Sequence, residues 1–248
     1  MLRAELIKLR RSAIWPIALA LPLLAVTTGT INYANNADML AGGWAAFNSQ
    51  VVMFYGLLFF SLGIGLLAAT SWRAEHRGTN WNLLLTTSRR PVTLVLAKVA
   101  ATAVSVAFMQ AVLVVGTLVS GAFVLRLDGG VPWQLVLVGA ISIVAALPLV
   151  VVQSLLSMLL KSFAAPVAVC LAGCVLGVAS VTSVGLRPLS YVLPQAINTR
   201  ALNLGSTALT GSGSLTPDDV LPILLTALGL AAACVALGVA AIRWVRLR

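Results

Sequence analysis

The sequence predicts an all-α polytopic membrane protein with six transmembrane helices, and three observations carry that prediction. Of its 248 residues, 60% are hydrophobic and only 9% charged. Soluble domains carry roughly 25% charged residues, so this chain has too few polar side chains to cover a water-soluble globule. Six uncharged apolar runs each reach the ~20 residues a helix needs to cross a ~30 Å hydrocarbon core. The runs are apolar all round, unlike barrel strands, which alternate and are about ten residues long. Trimmed of flanking polar residues, they give helices at 14–33, 49–71, 97–124, 134–159, 164–185 and 220–242, within a single transmembrane domain covering 1–248.

Ahead of the first span, "MLRAELIKLRRS" places Leu2, Leu6 and Leu9 on one helical face, with Arg3, Lys8, Arg10 and Arg11 around the rest. This is the pattern of a basic amphipathic helix lying in the membrane interface; a charge cluster that merely sets topology is the alternative. The apolar part of the first span exceeds the ~7–15 residues of a secretory-signal core, and no small-residue cleavage site follows it. It reads as an uncleaved span.

Charge counting orients the chain. With the N-terminus in the cytoplasm, thirteen of the sixteen Lys and Arg fall inside, and only Arg126, Arg187 and Arg200 fall outside. Glu5 and Glu75 join the inner side, while Asp38, Asp128, Asp218 and Asp219 lie on the outer one. The balance is +11 against −1, which follows the positive-inside rule and puts both termini of a multi-pass protein in the cytoplasm, with the cell membrane as its location. The net charge of +10 therefore needs no nucleic-acid partner. Trp15, Trp44, Trp72, Trp133 and Trp244 stand near predicted span ends, as an interfacial belt would; Trp81 does not.

The loop between the second and third spans, 72–96, is far longer than a chain reversal requires. Thr79 is placed to cap a short helix in which Trp81, Leu84 and Leu85 share an apolar face. Arg89 and Arg90 follow, and Pro91 suits the first turn of the next helix. A short amphipathic helix lying across the cytoplasmic surface fits this pattern. Its apolar edge would enter a groove on another protein, or its Arg side chains would rest on lipid phosphates.

The outer loop, 187–219, begins with "RPLSYVLPQAINTRALNL", too apolar for a free loop and too interrupted for a span. Short helices packed into the outer membrane surface, or a re-entrant element, satisfy both facts. A flexible stretch then leads to Thr216 or Asp218 as a cap behind Pro217.

Within the spans the notable polar groups are Gln110 and Gln153. They serve as interhelical hydrogen-bonding groups or line a cargo path. Gly63 and Gly65, Gly173 and Gly177, and Gly229 with Ala233 mark close helix contacts, the Gly173–Gly177 pair within the chain or between subunits. Cys170, Cys174 and Cys234 lie in apolar segments and read as packing residues; no metal site is expected. No phosphate-binding G-x-x-x-x-G-K-[ST] occurs. No carboxylate lies inside a predicted span, so a proton relay at membrane depth is missing. His76 beside Glu75 is the sole pair resembling a catalytic couple, and it keeps open the rival reading of a membrane-embedded lipid-modifying enzyme. A non-enzymatic scaffold or sensor is the other rival.

Five features occur together: "ELIKLRR" at Glu5–Arg11, Glu75 with Gly78 and Thr79, "LLLTTSRRP" ending at Pro91, Lys98, and "SYVLP" at Ser190–Pro194. With these motifs the six-span layout resembles the permease subunit of ABC-2 type exporters, nearest to the bacteriocin (lantibiotic) immunity and drug-resistance group. The resemblance implies a separate ABC ATPase subunit that holds ATP and Mg, and a second permease chain, identical or different. It further implies that Glu75, Gly78 and Thr79 shape a coupling helix between spans two and three. Trp81, Leu84 and Leu85 would fill the ATPase groove, and Arg89, Arg90 and Pro91 would set the return into the membrane. The implied activity is ATP-driven export of an amphipathic or lipophilic cargo, such as a peptide antibiotic. The chain itself is then a transport subunit and not an enzyme, with no catalytic residue or cofactor of its own.

Overall fold

The computed structural model describes residues 2–9, 12–40, 42–76, 91–130, 132–206 and 215–246, without the side chains of 74, 91 and 241–246. Most of the described residues are helical and none is in a strand, and six helices are long and apolar enough to cross a membrane.

A short helix α1 (Leu2–Leu9) precedes α2 (Ile14–Asn35), the first span. The second span is α3 (Trp44–Phe54), a π turn at Tyr55–Phe59, and α4 (Phe60–His76). The third is α5 (Pro91–Val119) with a π turn at Ser120–Val124. The fourth is α6 (Trp133–Ala145) and α7 (Leu147–Leu159), and the fifth is α8 (Ala164–Thr182). A 3-10 helix at Val184–Tyr191 and α9 (Pro194–Leu202) then lead to the sixth, α10 (Pro217–Arg246).

Several boundaries depart from the hydropathy reading, each for a local reason. The second span starts five residues earlier than predicted, at Trp44, because Gly43 turns the chain with a φ of +94°. Its helix also runs on to His76, past the predicted end at 71 and beyond the membrane-spanning stretch Trp44–Arg73, because the polar residues of its last turns find partners in the protein. The third span begins at Pro91 rather than 97, with proline at the first helical position. The 72–96 loop thus narrows to 77–90, which lies outside the described residues. The fourth span is interrupted at Ala146, where Pro148 lacks the N–H that would continue the helical ladder. The fifth ends at Thr182, three residues short of the prediction, and the last begins at Pro217, where Thr216 Oγ1 bonds Asp219 Oδ2 at 2.6 Å.

α2 packs on α3 and α5, and α4 packs on α7 and α8. Their core joins Ile14, Phe47, Tyr55, Phe60, Ile64, Met109 and Leu149. A second cluster unites α6, α9 and α10 through Val138, Ile141, Ile197 and Ala227. The outward faces stay apolar, with Leu24, Val115, Val175 and Leu225 all more than half exposed, as lipid contact requires.

The segment between the fifth and sixth spans packs among the other helices. In α9, Gln195 through Thr199 are all buried. Thr199 Oγ1 donates to Gly56 O, inside the π turn of the second span, at 2.8 Å, and Asn198 Nδ2 lies 3.4 Å from Ser61 Oγ. Gly173 and Gly177 make room for it: a Cβ on Gly173 would overlap Gln195 Nε2, and one on Gly177 would stand 3.1 Å from the Ala196 backbone nitrogen. Of the two readings of this glycine pair, contact within the chain is the one observed. Gly63 meets Met109 and Gly65 meets Cys170, as expected, but Gly229 has nothing within 4 Å and Ala233 is exposed. The last span therefore carries small residues on a face that packs on nothing among the described residues. Trp72 also differs from expectation: it is fully buried, not part of an interfacial belt.

Candidate functional site

The last turns of α4 carry charge on two separate faces. Ser71, Trp72 and Glu75 are spaced three and four apart and turn toward α1 and α5. Ala69, Arg73 and His76 repeat the same spacing on the side of α7 and α8. This helical periodicity sorts neighbouring charged residues into two environments.

On the first face four residues form a closed ring. Lys8 Nζ lies 2.9 Å from both Glu5 Oε1 and Glu75 Oε1, and Lys98 Nζ lies 2.8 Å from Glu5 Oε2 and 3.0 Å from Glu75 Oε1. Acid and base alternate around it, so its formal charge is zero. Lys98 is 1% exposed, Glu75 3% and Glu5 4%. Lys98 has a third acceptor in Ser71 O at 3.3 Å, which matches the three N–H of an ammonium group, and it stands 5.2 Å from the centre of the Trp72 ring. Starting α5 at Pro91 is what brings Lys98 here: seven residues at 1.5 Å rise set it about 10 Å along the helix. Isolated buried charges are very costly, whereas paired and fully bonded ones are tolerated.

The ring favours the charged forms of two of its members, Glu75 and Lys8. Burial opposes the charge on Glu75, but the hydrogen bond from Lys8 and the charge and hydrogen bond of Lys98 outweigh it and hold the carboxyl below its ordinary value. For half-exposed Lys8, partial burial is likewise outweighed by hydrogen bonds to Glu75 and Glu5, which raise it.

On the second face, His76 Nε2 lies 2.7 Å from Ser157 O at the end of α7, and the Arg73 guanidinium sits 5.3 Å from the Phe163 ring before α8. Both ends of the 77–90 segment are therefore fastened: α4 to α1, α5, α7 and α8, and α5 to α1 and α4.

The arrangement belongs to a chain whose residues 1–177, from α1 into α8, match the family described as ABC-2 family transporter protein. This chain is a member of the ABC-2 transporter family. The match stops within α8, so α9 and α10 lie beyond it. No curated protein and no solved structure matches the chain. Family and helices together make it a multi-pass membrane protein of the permease type in ABC transporters.

Of the residues expected to act in coupling in this ABC-2 chain, Glu75 is in the ring and Pro91 opens α5. Gly78, Thr79, Trp81, Leu84, Leu85, Arg89 and Arg90 lie outside the described residues. Glu75 and His76 do not form a couple: one faces Lys8 and Lys98, the other Ser157. Gln110 and Gln153 are buried at different helix contacts, Gln110 beside Gly139 and Gln153 beside Gly65. Cys170 is buried with Cys174, and its Sγ lies 3.1 Å from Ser61 O.

Glu5 and Lys8 entered the sequence reading through the N-terminal helix, the charge count and the family motif, but not as site residues. One signal for them was present. Glu5 and Glu75 are the sole acids on the strongly basic side of the chain, and each would need a cation beside it.

Proposed function

We propose that this chain is the membrane-spanning permease of an ATP-driven exporter, with its basic end and both termini in the cytoplasm of a cell-membrane protein. Membership of the ABC-2 family carries the reading. A separate ABC ATPase supplies ATP, Mg and hydrolysis, and a second permease chain, identical or different, completes the complex. α1 rests in the cytoplasmic interface, and the 3-10 helix with α9 forms a re-entrant outer element. The cargo is amphipathic or lipophilic, and a peptide antibiotic fits the subgroup that the sequence resembles.

In this reading the 77–90 segment is the coupling element. Gly78 and Thr79 shape it, Trp81, Leu84 and Leu85 seat in the ATPase, and Arg89, Arg90 and Pro91 return the chain to the membrane. The ring supports the assignment mechanically. A push on a segment fastened at both roots passes into α1, α4 and α5 together instead of bending a slack loop. Gln110 and Gln153 are the groups along which the cargo would pass.

Separated faces for Glu75 and His76 weigh against a lipid-modifying enzyme, since a general acid or base needs its partner within hydrogen-bond reach. The test is isolation of the chain in mild detergent from its own cells. A phosphate-loop ATPase should accompany it, and purification without one, under conditions that keep other transporters whole, would refute the proposal.

A further inference from the structure

A cleft of about 260 Å³ opens at the basic end between α4, α7 and α8, lined by Arg73, His76, Ser157, Lys161, Ser162 and Phe163 among others. No carboxylate lines it among the described residues. Neither Arg73 nor Lys161 forms an ion pair among the described residues. The sequence leaves no acid for them: Glu5 and Glu75 are committed to the ring, and the other four, Asp38, Asp128, Asp218 and Asp219, lie at the opposite ends of the spans. Ser157, 2% exposed, lines the cleft, and its Oγ has no hydrogen-bond partner among the described residues. The first turn of α8 begins beside it at Ala164, with backbone N–H groups that favour an anion.

A second hollow, about 610 Å³, meets the first at Phe163 and is wholly apolar in its side chains. It follows Ala164, Val167, Ala168, Leu171, Ala172 and Val175, one face of α8 at helical spacing. The alanines keep it shallow. From Ala164 to Val175 the helix rises about 16 Å, close to half of the ~30 Å hydrocarbon core. That is the depth of one leaflet.

We propose that these two hollows together hold one anionic phospholipid, its phosphate between Arg73 and Lys161 and an acyl chain along the outer face of α8. Charge selects this occupant over a second copy of the chain. A two-fold axis along the membrane normal would bring the same uncompensated cations together at the same depth. A zwitterionic lipid would add no net negative charge to the cleft.

Binding of dioleoyl phosphatidylglycerol and dioleoyl phosphatidylcholine to the purified full chain would be compared by native mass spectrometry. The anionic lipid should be preferred about ten-fold or more, on the scale expected for two basic groups near a phosphate. The double variant Arg73→Gln with Lys161→Gln should lose nearly all of the preference. Lys161→Gln alone, at an exposed position, should lose about five-fold, and it keeps the test decisive if the double variant does not fold. Ala168→Trp, which fills the groove and touches no charge, should weaken both lipids alike. Arg187→Gln, at the opposite end, should change nothing. The proposal is overturned by equal binding of the two lipids, by an unchanged preference in Lys161→Gln, or by an equal loss in Arg187→Gln. Stabilisation by glycerol 3-phosphate equal to that by the lipid would assign the cleft to a soluble phosphate. A dimer cross-linked through cysteines placed at 168 and 172 would assign the groove to a second copy. Either result also overturns it.

Discussion

Lys98 Nζ and Glu5 Oε2 stand 2.8 Å apart, although 93 residues separate them in the chain. This contact ties the first helix of the protein to the root of the third span, and Glu75 and Lys8 close it into a ring. The energetic consequence is asymmetric. A buried ion pair exchanged for well-packed apolar groups can be neutral, but removal of one partner leaves a bare charge.

Lys98→Ala should therefore cost about 3–5 kcal/mol, read as a clear drop in the midpoint of thermal unfolding in detergent. Lys98→Met combined with Glu5→Gln should recover much of that loss. A double-mutant cycle on these two positions is expected to give a coupling of about 1 kcal/mol or more; strict additivity would show that the ring is not energetically connected.

Stability should be flat across neutral pH and fall at both extremes. The Glu75 carboxyl lies below its ordinary 4.5 in the folded chain, so its contribution is complete above that value and is lost as pH falls through the folded pKa. Lys8 lies above its ordinary 10.5, so its contribution is complete below that value and is lost as pH rises through the folded pKa. The alkaline effect should be the smaller, because Lys8 is half exposed and screened by solvent. Unfolding midpoints from pH 3 to 11 for the wild type and Glu75→Gln check the acid limb, which the variant should lack in part.

Gly177→Ala should destabilise the protein by about 1–3 kcal/mol through overpacking, because the added Cβ meets the Ala196 backbone nitrogen, which has no freedom to yield. Gly173→Ala meets the Gln195 side chain instead, so pairing it with Gln195→Ala should relieve most of its cost. Were the pair a subunit contact, Gly173→Ala would change oligomeric state and Gln195→Ala would not rescue it.

On the proposed coupling role, Trp81→Ala should weaken association with the partner ATPase by about thirty-fold, the scale of a buried aromatic hot spot. Insertion into the membrane should be unchanged. Equal ATPase association in wild type and variant would remove Trp81 from the docking surface.

The number of spans and their approximate places, and the concentration of cations on one side, follow from the sequence alone. Hydrocarbon thickness and backbone hydrogen bonding leave an apolar run of ~20 residues little choice but a helix across the bilayer. Boundaries were less legible, since hydropathy averages over a window while Gly43, Pro91 and Pro217 act at single positions. Glu75 stood out in the sequence as an acid among bases, but its partners did not. Trp72 looked interfacial and is enclosed. Gln195 gave no sign that it would fill the space left by Gly173. Only tertiary structure brought Glu5, Lys8, Glu75 and Lys98 into one ring and set Arg73 and His76 against other helices. The reason is geometric. A helix tells from its sequence which side chains share a face, whereas which neighbour that face meets depends on how all the spans pack.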